Sequence, residues 1–178
     1  VEKLETIGAE NNALTSRDVT CYYEILPADK LDVALQLEAD RMRHLKLQQG
    51  LFKKEQQVVI EERRMRVEDD PMAATYERFL AAAYVNSPYH HPIIGWPSDM
   101  NDYTVKSLQQ WYDHWYQPNN ALILVVGDVK AADVFATVEK YFGAYKKESL
   151  PRVYPRKEVR GLGPKTVIVK LPAQSPCV

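Results

Sequence analysis

The stretch with the most chemical content is Lys53-Lys54-Glu55-Gln56-Gln57-Val58-Val59-Ile60-Glu61-Glu62-Arg63-Arg64. Seven residues at ~100° each come to nearly two full turns, so Glu55 and Glu62 share one helix face, about 10 Å apart along its axis. At that separation both carboxylates cannot ligate one small cation. One can bind a metal directly while the other orients ligands or water from behind it. On this stretch alone the simpler reading is a solvated, ion-paired helix face, with Glu62 and Arg66 at i,i+4. The histidines do not complete a site. His44, His90, His91 and His114 form neither HxxEH nor HExxH, nor any i,i+4 pair that would put two imidazoles on one side of a zinc ion. His90 and His91 fall in a proline-flanked loop, where hydrogen bonding is a commoner role than ligation.

Other chemistries have weaker support. Ser87 and Ser98 lack a GxSxG elbow, and Cys21 sits in a β-forming run with no evident base. Gly161-Leu162-Gly163-Pro164 lacks the GxGxxG spacing of a phosphate loop, and its proline would disrupt a helix start. Trp111, Tyr112, Trp115 and Tyr116 recur at helical spacing, which fits packing better than a ligand platform.

The elements that must position these residues can be read in order. Residues 8–12 are loop-like. Residues 13–16 and 20–26 read as two short strands joined at Arg17-Asp18 as a hairpin, the second rich in Thr20, Tyr22, Tyr23 and Ile25. Asp29 is the natural N-cap of a helix to about residue 45, striped by Leu31, Ala34, Leu35, Met42 and Leu45. Gly50 separates it from a charged helix over about 52–68, which carries the two glutamates. Asp70-Pro71 then opens a helix to about residue 85, with Tyr76, Phe79, Leu80, Ala83 and Tyr84 as its apolar face. Four helix-breaking residues, Pro88, Pro92, Gly95 and Pro97, make 86–102 a long structured loop. Thr104 caps a further helix bearing Val105, Leu108, Tyr112 and Trp115. The unbroken apolar run 121–126 predicts a strand buried on both faces, followed by a helix that ends at Gly143. Residues 144–164 carry Lys, Arg, Pro and Gly in linker proportions, and 165–171 alternates like a new strand.

With 178 residues, 46% of them apolar and 26% charged, the chain has the composition of a folded globular protein. A formal net charge of −1 gives no reason to expect a nucleic-acid partner. Cys21 and Cys177 stand too far apart for a CxxC metal knuckle and suggest no disulfide framework. No run approaches the ~18 apolar residues of a membrane span, so no transmembrane segment is expected. The start at Val1, without a signal peptide or an initiator Met, suggests a trimmed or processed chain.

Taken together, several segments resemble the insulinase/pitrilysin family of inverted zinc peptidases, in particular its bacterial zinc-protease and mitochondrial processing-peptidase branches. The matching pieces are Gly8 with Asn12-Ala13-Leu14-Thr15-Ser16-Arg17-Asp18-Val19-Thr20, then Asp40-Arg41-Met42, and Glu55 with Val58-Val59-Ile60-Glu61-Glu62-Arg63. Further along come Pro88-Tyr89-His90-His91-Pro92-Ile93-Ile94-Gly95 and Tyr116-Gln117-Pro118-Asn119-Asn120-Ala121. Their order and spacing match from about Gly8 to Gly143.

The resemblance implies an α+β fold, a mostly antiparallel sheet backed by helices, forming a truncated N-terminal half. It implies residues 1–143 as most of a peptidase-type domain, 144–164 as linker and 165–178 as the first strand of a second homologous domain. It maps the metal-ligating glutamate onto Glu62 and a supporting acidic residue onto Glu55. The HxxEH helix, with the catalytic base, would lie upstream of Val1. Such a His₂Glu set leaves one tetrahedral zinc position open for water. The family also holds extended substrate against an edge strand, at the position of Asn12, Ala13, Leu14 and Thr15. The expectation is therefore a metalloendopeptidase fragment acting on peptides or unfolded proteins. Zn²⁺ belongs to the intact protein, this piece alone being inactive and metal-free, and a second homologous domain or partner subunit completes it. A periplasmic or membrane-associated bacterial setting goes with that reading. The alternative is a non-catalytic partner subunit or structural member of the same family.

Overall fold

Ser16 N donates to Val19 O at 2.8 Å and closes a tight turn between β1 (Glu10–Thr15) and β2 (Thr20–Ile25). The two strands pair antiparallel, with Ala13 opposite Tyr22 and Leu14 opposite Cys21. The computed structural model describes residues 2–173. Its helices are α1 (Glu2–Glu5), α2 (Leu31–His44), α3 (Gln49–Arg63), α4 (Pro71–Ala83), α5 (Pro97–Asp102), α6 (Val105–Trp115) and α7 (Ala131–Phe142). The antiparallel sheet backed by helices is the α+β class expected. The chain divides into two units, Val1–Leu47 with Lys106–Arg152, and Gln48–Val105 with Val153–Val178.

In the first unit the hairpin is exposed along most of both strands, and only Asn11 and Glu24, opposite one another, are half-buried. Leu14, Tyr23 and Ile25 share an exposed face, while Tyr22 turns towards α2, where the Arg41 guanidinium lies 3.5 Å from its ring centroid. Leu4, Ala9 and Ala34 are buried together, with Ile7, Leu26 and Leu37 packed around them. Ala34, Leu35 and Ala39 form the buried side of α2, close to the expected stripe, although Leu45 is exposed. Of the aromatic residues expected to pack on α6, Tyr112 is buried and Trp111 is not. The Tyr112 hydroxyl donates to Arg41 O and accepts from Leu45 N, so it satisfies backbone groups left over at the end of α2. Lys140 and Tyr141 of α7 reach Asp32, in the first turn of α2, at 2.9 and 2.6 Å.

In the second unit α3 runs without a break into a π-helical turn, Arg64–Glu68, marked by Asp69 N donating to Arg64 O. Asp70 then caps α4 as expected, its Oδ1 accepting from Met72 N and Ala73 N at 2.8 and 3.2 Å. Gln56 donates to the carbonyl of the buried Met100 on α5 at 2.6 Å.

Several local expectations are corrected. Gly50 lies inside the first turn of α3, and β1 begins at Glu10 within the span read as loop. Asp29 pairs with Lys30 at 2.9 Å and caps nothing; a 3-10 turn, Ala28–Lys30, precedes α2 instead. The apolar face predicted for α4 is only partly covered: Leu80 and Tyr84 are half-buried, Tyr76 and Phe79 are stacked and exposed, and the buried residue of the helix is Glu77. Residues 121–126 and 165–171 are not strands, and Leu122, Leu124 and Val126 are 80–90% exposed. An apolar run becomes a buried strand only where other strands and a covering layer meet it, and among the described residues the sheet is β1 and β2 alone. Cys21 is exposed, and Cys177 lies outside the described residues.

Candidate functional site

Helix α3 has two unlike faces. Leu51, Glu55, Val58 and Glu62 fall within one narrow sector at 3.6 residues per turn, and Met65 continues it into the π turn. Leu51, Val58 and Met65 are each more than half exposed, so the acidic pair is set in an uncovered apolar stripe. Glu55 is exposed, whereas Glu62 is partly covered and pairs with Arg66 at 2.9 Å. A second face, about 100° further round the helix, carries the buried Gln56 and Arg63.

Arg63 anchors that face. Its Nη1 and Nη2 donate to the two carboxylate oxygens of Glu77 at 2.8 Å each, Nη1 also donates to Gly95 O at 2.8 Å, and Nε faces Glu68 at 3.5 Å. The paired carboxylate holds the guanidinium pKa above its ordinary value. Sequence reasoning passed over Arg63 and Glu77. Helical phase sets Arg63 about 100° round α3 from Glu62, off the exposed stripe, which was the available signal, but nothing local marked its partner fourteen positions on.

The histidines lie elsewhere, as their spacing implied. His44 is exposed on α2 and contacts Asp40 at 3.0 Å, and His114 is exposed on α6. His90 and His91 pack against one another, with Trp96 Nε1 donating to His91 Nδ1 at 3.2 Å. Among the described residues no three His, Cys, Asp or Glu side chains are grouped to hold a metal. These residues do not by themselves make a zinc site; Glu62 is a single oxygen donor on an accessible face.

The strand expected to take substrate is present as β1. Asn12, Ala13, Leu14 and Thr15 are all exposed, and among the described residues β1 is paired on one side only. Ala13 N donates to the Asn12 side chain at 2.8 Å. On the α2 side of the hairpin Glu24 meets Glu38, which Arg41 also binds. Burial, then the hydrogen bond and charge of Glu38, push the Glu24 carboxyl up to about 7, against the opposing pull of Arg41. The Tyr22 and Tyr116 hydroxyls are hydrogen-bonded, and burial raises the Tyr116 pKa.

No helix among the described residues is long and apolar enough to cross a membrane. Residues 1–96 match the family model for insulinase (peptidase family M16), and residues 102–178 match the model for the peptidase M16 inactive domain. The chain is 38% identical over 169 residues to the zinc protease PqqE of Helicobacter pylori, covering 93% of this chain but 38% of that protein. The crystal structure of a protease from Helicobacter pylori superposes with a TM-score of 0.83 at 38% identity, over 88% of this chain and 38% of that one. The first half of the periplasmic protease PqqL from Escherichia coli superposes with a TM-score of 0.75 at 25% identity, over 88% of this chain and 35% of the other. With more than half its residues matched by the insulinase model, the chain belongs to the insulinase family of peptidases, family M16.

Proposed function

We propose that this chain is part of a zinc-dependent endopeptidase acting on extended peptides, with Glu62 as a metal-ligating carboxylate and Glu55 as its support two turns earlier. The observation that carries the proposal is the α3 face on which both carboxylates are framed by uncovered Leu51, Val58 and Met65. Three large apolar side chains aligned on one face with the two acids form a stripe, where scattered single ones would carry no argument. Such a stripe suits a face that another element covers, and a covered carboxylate needs a cation. Zinc in the intact protein fits the names of the relatives, as does a second homologous domain or a partner subunit.

In this reading Asn12, Ala13, Leu14 and Thr15 take the substrate by strand addition. An edge strand offers backbone donors and acceptors to any extended chain and asks little of its sequence. The periplasm is the proposed compartment, by analogy with the periplasmic PqqL protease. A second reading, a non-catalytic family member, draws on the match of residues 102–178 to an inactive-domain model. Zinc analysis and turnover of an unstructured peptide by the intact protein separate the two. Stoichiometric zinc and cleavage are expected. An intact protein purified without zinc, and inert after zinc is supplied, would favour the second. The 178-residue chain alone is expected to hold little or no zinc and to cleave nothing.

A further inference from the structure

Where α4 ends, three successive amides converge on one carboxylate. Val85 N donates to Glu158 Oε1 at 2.9 Å, Ser87 N to Oε2 at 2.8 Å, and Asn86 N to both oxygens at 3.2 Å. Glu158 Oε1 also accepts from Val159 N at 3.0 Å. Two further contacts join the same stretches: Asn86 Nδ2 donates to Lys157 O at 3.0 Å, and Lys165 Nζ to Ala82 O at 2.9 Å. Consecutive backbone N–H groups of this kind form a concave nest selective for anions. Here the anion is supplied by the segment whose Pro and Gly content reads as a flexible linker.

We propose that Glu158 is a latch: its carboxylate, seated in the amide nest at residues 85–87, straps the linker to the end of α4 and sets where the chain leaves towards residue 165. The ammonium of Lys165 on a carbonyl near the end of α4 is the second fastening, of opposite charge, so the strap is read by both donors and acceptors. A latched strap has fewer conformations than a Pro- and Gly-rich tether, and whatever follows it starts from a fixed point. The depressed Glu158 pKa, about 2, accords with a carboxylate solvated by amides.

The test is peptide-level amide exchange and limited trypsin digestion of the intact protein, with Glu158→Gln and the shorter-armed Glu158→Asp. In the wild type the amides of 85–87 should be protected, and the exposed Arg156, Lys157 and Arg160 should be cut slowly. Glu158→Gln should speed exchange at 85–87 about tenfold, the size of a lost charge-assisted hydrogen bond, and accelerate cutting at 156–160. Glu158→Asp should fall between. Unchanged exchange at 85–87, or unchanged cutting, overturns the latch. So does faster exchange throughout 71–83, which would make Glu158 a general stabiliser of α4 rather than a fastening of the strap.

Discussion

Arg63 and Glu77 face one another from α3 and α4 through two parallel hydrogen bonds of 2.8 Å, and both are almost fully buried. The pair makes the buried contact of α4 beside, and not on, the face that the apolar pattern marked. Because Arg63 follows Glu62 directly, the same pair fixes the rotation of the last turn of α3. Removing one partner leaves a buried charge uncompensated, a loss of about 3–5 kcal/mol. Arg63→Met or Glu77→Leu should therefore lower the denaturant midpoint sharply in chemical unfolding. The double variant should recover much of that loss, and purely additive losses would show that the pair is not coupled.

Gly95 closes the same arrangement. Its carbonyl accepts from Arg63 while its φ is +90°, and a Cβ there would sit 3.0 Å from the Tyr103 hydroxyl oxygen. Gly95→Ala should cost about 1–3 kcal/mol, measured as a lower thermal midpoint, through backbone strain that no side chain can relieve. A variant as stable as the wild type would mean that the loop reaches Arg63 by another backbone path.

For the intact protein, Glu62→Gln should reduce bound zinc, because an amide is a far poorer donor than a carboxylate. Glu55→Gln should lower turnover by about 10–100-fold with a smaller loss of metal. Metal analysis alongside peptide kinetics checks both. Wild-type zinc and wild-type turnover in the two variants would remove these residues from the chemistry.

Glu24 gives a pH signature. Its folded pKa of about 7 exceeds the ordinary 4.5, so between those values the native state holds a proton that the unfolded chain releases. Stability from this group is therefore greatest below pH 4.5 and declines as pH rises towards 7. The charged groups facing it are Glu38 and Arg41, with Asp40, His44, Lys3 and Lys46 around the same groove. Thermal midpoints between pH 5 and pH 7.5 should fall more in the wild type than in Glu24→Gln; equal slopes would rule Glu24 out as the source.

The sequence made the local elements legible wherever a short-range signal exists. Asp70-Pro71 marks the start of α4, and Thr20 to Ile25 reads as a strand because its side chains fit a pleated surface. Glu55 and Glu62 emerge from helical phase and a family resemblance. The outward turn of Tyr76 and Phe79 on α4 was not legible, because amphipathic phase shows which residues differ, and only the partner decides which side is inward. Glu77 is drawn in by Arg63, and Tyr76 and Phe79 are left out. The run 121–126 failed for the same reason, since burial belongs to the assembly and not to the segment.

That run has a consequence for handling the molecule. Leu122, Ile123, Leu124 and Val126 sit in a chargeless, proline-free hexapeptide whose side chains meet water. Such a segment is a template for intermolecular β-pairing. In isolation the 178-residue chain should self-associate as its concentration rises, with thioflavin-positive species suppressed by Leu124→Lys. If dilute and concentrated samples sediment identically as monomers, the hexapeptide is not sticky.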